Sequence, residues 1–424
     1  MFEGSWTLPS VEAVCCDDEL PAADLHNLLI GLIDQGLVLP EAGSGRPRHR
    51  LLALGRDLCR RHLEAPARAA ELEALRRRHA ARFAALVGAA GASGDRLDAA
   101  FERADCCAAI RFAIGRPDLL ELAADMAIEL QDEWYDRGRY REGLDLLEPL
   151  LRAWGGRGGV REVRLLAADA KLRWLADPRA AYRGYQRALE LERRIVAEAS
   201  DEARPVEEFR LAAVLHNVGL TAQQSFAFIA SREALAESIE RYRLIGAGKA
   251  QLAIPDLSLA ILDYYEGRDA EAGPALDRCV SIFHASGDLI RLATALHYRS
   301  RLSLRAGDWK QAAQITRDAL AVRRRDGEVE GIAASFLLAG EIALASGNAL
   351  ACVRLFAAAE RRRRGLGLEV AATDVREYES ALHSARQSLG LAEFDAAWAE
   401  GATLADEEAS ALLASLLPPA LGSG

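Results

Sequence analysis

Lysine is nearly absent from this 424-residue chain: Lys171, Lys249 and Lys310 are the only three, so arginine carries the basic charge. That skew reads as a base-composition bias rather than a functional signal. Aromatic residues are only 6% of the chain and methionines number two. With Ala, Leu, Arg and Glu dominant, the composition favours helix formers over strand formers. No run reaches the roughly 18 apolar residues that a membrane span needs, and Met1-Phe-Glu-Gly-Ser-Trp lacks the basic start of a signal peptide. No membrane partner and a cytoplasmic location are therefore expected. The net charge of −10 leaves no global basic field for nucleic acid.

Chemistry-bearing patterns are missing too. The seven cysteines are an odd number; Cys15-Cys16 and Cys106-Cys107 are adjacent pairs, not the C-x-x-C of zinc or redox sites, and suit reduced, mostly buried thiols. The eight histidines form no H-E-x-x-H or other close metal spacing, and His79 is expected on the polar face of its helix. The nearest approach to a phosphate-binding loop, Gly246-Ala247-Gly248-Lys249-Ala250, has Ala where a metal-binding hydroxyl is needed and Arg243 where the first glycine is needed. No Ser/His/Asp, Cys/His or paired-carboxylate set stands out. The expectation is a non-enzymatic protein without metal or cofactor.

What is present is a repeat. Gly267, Gly307 and Gly347 lie 40 residues apart, each in a short polar turn (EGRDAEA, AGDWKQA, SGNALAC). Seven residues before each glycine stands a small residue (Ala260, Ser300, Gly340), five after it another (Ala272, Ala312, Cys352), and twelve after it a third (Cys279, Ala319, Ala359). Tyr264, Leu304 and Leu344 supply an apolar residue three before each turn. This is helix, tight turn, helix, with small residues where helices approach closely; one such pair cannot bury its apolar face, so neighbours must stack. The register resembles tetratricopeptide repeats (TPR) in an elongated form, and the fold class expected is all-α, a right-handed superhelix of TPR-like hairpins.

In order, residues 1–65 predict a partial winged-helix segment. Leu25, Leu28, Leu29 and Leu32 trace one face of a helix ended by Gly36, and two short apolar runs flank a Gly/Ser/Pro turn at 41–47. Residues 66–117 read as a linker and first helices, broken at Gly88–Gly94. Residues 118–390 carry the repeats, with a degenerate pair at Glu207–Ala222 and Arg232–Tyr242 joined by an irregular stretch around Ser225–Ser231. Residues 391–424 read as a capping helix and a disordered tail. The runs Arg323–Arg325 and Arg361–Arg364 close the second helices of successive repeats, where cations oppose the helix dipole.

FEGSWTLPSVEAVC, DLHNLLIGLIDQGLVL and RHRLLALGRDLCRRHL together resemble the winged-helix segment of bacterial STAND-type ATPases of LuxR- or AfsR-like transcriptional regulators, and FDAAWAEGATLADEEASALL (394–413) resembles their tail. The resemblance covers the region downstream of the ATPase. It implies a sensor and protein-interaction module, binding a partner protein, a peptide or a small inducer on the concave face of the repeats and working with an ATPase domain in cis or in trans. On that face the candidate contacts are His216, Asn217, Gln223 and Gln224 near the degenerate repeat, and Asp263, Tyr298, Arg301, Arg305 and Glu341 on the first helices of the regular ones, read as free of packing duty. The rival is a DNA-binding regulator acting through the winged helix, but residues 20–40 hold no arginine or lysine. The uncovered face of Leu25, Leu28 and Leu32 predicts a homo-oligomer.

Overall fold

The computed structural model describes residues 2–41, 47–93, 99–174, 176–326, 328–366, 370 and 373–416. The chain divides into two compact units, residues 1–135 with 139–172, and residues 136–138 with 173–424. Apart from one hairpin the described residues are helices and turns, and no helix among them is long and apolar enough to cross a membrane.

The first unit opens with α1 (Leu8–Cys15) and α2 (Ala22–Asp34), followed by β1 (Val38–Glu41) and β2 (Arg48–Leu51), which pair antiparallel with Val38 opposite Leu51. Gly36, at φ +70°, turns the chain out of α2 into β1. Trp6 bridges His49 through two backbone hydrogen bonds of 2.8 and 2.9 Å. A small core of Trp6, Val11, Leu25 and Val38 sits beneath, with Leu29 and Leu32 packed against it. The expected leucine face is thus split: Leu25 is buried and Leu32 half-buried, while Leu28 remains 56% exposed.

After α3 (Ala53–Leu63) come α4 (Ala69–Ser93), α5 (Ala99–Ile114), α6 (Leu120–Asp136), α7 (Tyr140–Trp154) and α8 (Gly159–Arg173). Two expectations change here. Helix α4 runs unbroken through Gly88, because a glycine costs a helix only about 1 kcal/mol and the burial of its own Phe83 and Val87 in the core of this unit outweighs it. His79 is buried, not on a polar face: its Nε2 lies 3.1 Å from Asp105, whose carboxylate also accepts the backbone N–H groups of Glu3 and Gly4. That knot, with buried Arg48 bonded to Glu102 at 2.7 Å and to the Ser5 carbonyl at 2.6 Å, fastens the N-terminal segment and β2 to α5.

The second unit comprises α9 (Pro178–Glu198), α10 (Arg204–Gln224), α11 (Phe228–Leu244), α12 (Lys249–Tyr265), α13 (Asp269–Ser286), α14 (Leu289–Arg305), α15 (Trp309–Asp326), α16 (Val329–Ala345), α17 (Ala349–Leu366), α18 (Val375–Leu389), α19 (Leu391–Gly401) and α20 (Asp406–Ser415). Pro178 begins α9 behind Asp177, whose side chain accepts from the Ala180 N–H at 2.9 Å. The hairpins α12–α13, α14–α15 and α16–α17 follow the predicted register. Ala260, Ser300 and Gly340 are buried, as are Ala272, Ala312, Cys352, Cys279, Ala319 and Ala359. At Gly340 a Cβ would come 2.5 Å from the ring of buried Phe356. Among the free cysteines, Cys106, Cys107, Cys279 and Cys352 are buried, and burial pushes the Cys279 and Cys352 thiols up to about 12.

The stretch expected to be irregular at Ser225–Ser231 is a tight three-residue turn, with α11 starting at Phe228. From residue 391 the chain carries two helices, α19 and α20, packed against α17, where one capping helix was expected. The tail predicted at Pro418–Gly424 lies outside the described residues.

Candidate functional site

Two adjacent tyrosines at the end of α12 and three polar residues along α14 build a charged site around a buried arginine in the second unit. Tyr264, Tyr265 and Tyr298 pack edge-on with ring centroids 5.4 to 5.9 Å apart. The Tyr265 and Tyr298 hydroxyls are hydrogen-bonded at 2.7 Å. Arg301 lies one turn beyond Tyr298 and donates from Nε to the Tyr264 hydroxyl at 3.1 Å. One turn further, Arg305 covers the Tyr264 ring at 3.8 Å and donates to the Tyr264 carbonyl at 2.9 Å.

Arg301 is only 5% exposed. A cation so placed must be matched by anions, and two supply the charge: Glu341 of α16 at 3.9 Å and Asp374, just before α18, at 3.3 Å. Burial works against the charge of Arg301, but Asp374 and Glu341 outweigh it and hold the guanidinium protonated, well above its ordinary range. Burial raises the Glu341 carboxyl, with Arg301 opposing. Burial, the Tyr298 hydroxyl and Asp374 push the Tyr265 phenol well up, so it remains a donor. It donates to Asp374 Oδ1 at 3.2 Å and accepts from Thr373 Oγ1 at 3.0 Å. Gln224 Oε1 lies 3.5 Å from the same threonine hydroxyl. A cavity of about 100 Å³ opens beside these groups, lined by Phe228, Tyr264, Tyr265, Arg301, Arg305, Thr373, Arg376 and Glu377.

Of the residues anticipated on this face, Gln224, Tyr298, Arg301, Arg305 and Glu341 therefore gather around one point. They are not free of packing duty: Arg301 and its partners form the interior of the site. Asp263 lies apart, bound to Arg232 and Arg268, each at 2.8 Å. His216 and Gln223 are tied to α12, His216 Nε2 lying 3.0 Å from Ser258 Oγ and Gln223 donating to the Ser258 carbonyl at 2.6 Å. Burial, aided by Arg291, lowers the His216 imidazole to about 4, so it is neutral near pH 7. Asn217 is half-buried and gives its carbonyl to Thr221 Oγ1 at 2.8 Å. Sequence reasoning missed Tyr265, Thr373 and Asp374, and read Tyr264 only as the apolar residue before its turn. The Tyr264-Tyr265 doublet was a usable signal for the first; nothing local marks the other two.

The sequence matches no family model and no curated protein. Solved structures do match. The chain is similar to the signal transduction ATPase with numerous domains (STAND) protein with a tetratricopeptide repeat sensor from Pyrococcus horikoshii, at 12% identity and TM-score 0.52, over 93% of this chain and 56% of that one. This chain thus spans little more than half of that protein's length. It is also similar to a Rap protein complexed with competence and sporulation factor (13% identity, TM-score 0.47, 82% of this chain and 98% of that one). A further match is aspartyl phosphate phosphatase F from Bacillus subtilis (10% identity, TM-score 0.43, 73% of each chain). At such identities the likeness to the STAND protein shows the fold alone, a TPR-like helical repeat.

Other charged features are consumed by packing. Asp406 gathers the last basic run: Arg362 pairs with it, Arg361 lies 3.8 Å away, and Arg324 donates to its carbonyl at 2.5 Å. Arg363 and Arg364 each pair with Glu360 at 2.8 Å. Arg323 is buried on the Gly331 carbonyl and the Ser335 hydroxyl. In the first unit a cleft of about 650 Å³ includes Arg60, Arg76 and Arg116, but these are matched by Glu3, Glu64 and Glu73. Among the described residues, no group of three His, Cys, Asp or Glu is arranged to hold a metal ion.

Proposed function

We propose that this protein is the non-enzymatic sensor and protein-interaction module of a STAND-type signalling or transcriptional regulator. A partner protein, a peptide or a small inducer would be taken on the concave face of the repeats at the Tyr264–Tyr298–Arg301 site, in concert with an ATPase domain in cis or in trans. The observation that carries the reading is the concentration of charge and aromatic surface there: first helices of successive repeats converge on a buried arginine beside an open cavity. Helical repeats use such surfaces to bind rather than to catalyse.

Residues 1–65 are read as the partial winged helix that would relay recognition, from α2, the β1–β2 hairpin and the Trp6 bridge. The rival, direct DNA reading by this segment, is disfavoured because α2 (AADLHNLLIGLID) carries no arginine or lysine for phosphate.

The test is to pan a random-peptide phage library on the full chain and re-measure the enriched peptides on Arg305→Ala and Gln224→Ala variants. Binders weakened at least tenfold by either variant are expected. A library that yields no binder, or binders indifferent to both variants, would overturn the reading.

A further inference from the structure

The ion pair that completes the Arg301 site is loosely made. Asp374 Oδ2 lies 3.3 Å from Arg301 Nη1 and Glu341 Oε1 lies 3.9 Å from Nη2. Within the described residues the guanidinium's one hydrogen bond runs from Nε to Tyr264. A well-seated arginine–carboxylate pair is bidentate, at about 2.7–2.9 Å. A guanidinium at 5% exposure with neither Nη hydrogen-bonded is built for a carboxylate that approaches more squarely than Asp374 does. The adjoining cavity of about 100 Å³ has room for one carboxylate head; a water's share of liquid volume is about 30 Å³.

Asp374 also has somewhere else to go. It occupies the N-cap position of α18, where an aspartate ordinarily accepts a backbone N–H of the first turn, yet its side chain makes no capping bond. It reaches instead for the Tyr265 hydroxyl and Arg301. Its side chain is 21% exposed, so a path to solvent exists. Leaving Arg301 would let it cap its own helix, which offsets part of the cost of departure.

We propose that Asp374 is an internal stand-in for a carboxylate of the incoming partner, an acidic side chain or C-terminus of a peptide that displaces Asp374 from Arg301 and frees it to cap α18. This rests on the functional reading above and names the chemical class of its ligand. Glu341 remains behind as the fixed counter-charge, and Tyr264 and Tyr265 form an aromatic wall of the cavity.

The first experiment uses sodium acetate as the probe. Asp374→Ala should lower the melting temperature of the full chain, and millimolar acetate should restore several degrees of it beyond equal sodium chloride, while the wild type is unmoved. Asp374→Asn, which keeps the shape, gives the same readout if the alanine variant does not fold. Acetate and chloride acting alike on both variants would overturn the proposal. The second experiment takes the phage-selected peptides. They should carry a carboxylate, bind Asp374→Ala or Asp374→Asn at least tenfold more tightly than the wild type, and lose that gain when the acid is made an amide. Peptides that bind at the Arg305 and Gln224 face but need no carboxylate would overturn this proposal and leave the functional reading standing. A library without binders would remove both.

Discussion

The α10–α11 hairpin and the three hairpins after it share one backbone and differ in what their sequences advertise. After α12, α14 and α16 the chain turns at Gly267, Gly307 and Gly347, with φ of +74°, +83° and +87°. The next residue's N–H then bonds the carbonyl five residues back at 2.8 to 2.9 Å (Arg268 to Asp263, Asp308 to Ser303, Asn348 to Ala343). After α10 the same bond joins Ala227 to Ala222 at 2.9 Å, but the residue at positive φ is Phe226, at +59°. The small positions also persist: Gly219, Ser231 and Ser238 stand seven before, five after and twelve after Phe226, all in the interior. Ser238 even donates to the Ala212 carbonyl as Cys279 does to that of Ala253, at matching places in the two hairpins. The close approach of helices therefore defines this repeat, and the turn glycine is only its most visible mark.

If that is right, the largest effect comes from filling the approach in either kind of hairpin. Gly340→Val would drive a side chain into Phe356, and Gly219→Val into Leu235, whose Cγ lies 2.6 Å from the Cβ position. Both should destabilise by roughly 2–3 kcal/mol through overpacking, read as a fall in melting temperature. A mild effect at Gly219 alone would mean that the α10–α11 pair closes differently. The next effect belongs to the turn: Gly307→Ala should cost about 1 kcal/mol, because Cβ disfavours the left-handed region, with no clash to add, since nothing lies within 4 Å of that Cβ.

The same contrast sets what could be read from the sequence. A period of 40 with glycine at each turn exposed three regular hairpins; with Phe226 at its turn the α10–α11 pair read only as a degenerate one, although Gly219, Ser231 and Ser238 already held its register. At the site, Tyr298, Arg301, Arg305 and Glu341 were legible because the first helices of stacked repeats present the same side. The burial of Arg301 was not, since Thr373 and Asp374 come back to Tyr265 from 108 and 109 residues away. His216 and Gln223 show the converse: polar in sequence, they are spent on Ser258 of the neighbouring helix, and no local pattern separates a satisfied interior amide from a waiting contact.

A third way to sharpen the comparison uses charge. The α9–α10 contact buries Glu192 beside the Glu207 carboxyl; among the described residues nothing donates a hydrogen bond to its carboxylate oxygens, and Arg210 is 3.9 Å off. Burial, with Glu207 adding and Arg210 opposing, raises its carboxyl from 4.5 to about 7. A raised acid binds more protons folded than unfolded, so its contribution is complete below about pH 4.5 and is lost as pH climbs through 7. Glu192→Gln removes that titration. The variant should match the wild type near pH 4.5 and exceed it above pH 7.5 by roughly 1–3 kcal/mol. An offset of the same size at both pH values would show that shape, not charge, is what the substitution changes.

The smallest effect is the most direct test of the turn itself. Phe226 is 58% exposed, and its ring meets only that of Phe228, at 6.0 Å, among the described aromatic contacts. Little packing is lost with the side chain, and glycine would relieve the left-handed strain, worth about 1–2 kcal/mol. Glycine also gives the unfolded chain more freedom, which takes back about 0.4–1 kcal/mol. Phe226→Gly should therefore stabilise by about 0.5 kcal/mol, measured as a small rise in melting temperature. A loss would mean that an exposed aromatic ring at this turn is held for a purpose other than folding, and because Phe228 lines the Arg301 cavity, peptide binding by the same variant would be the place to look for it.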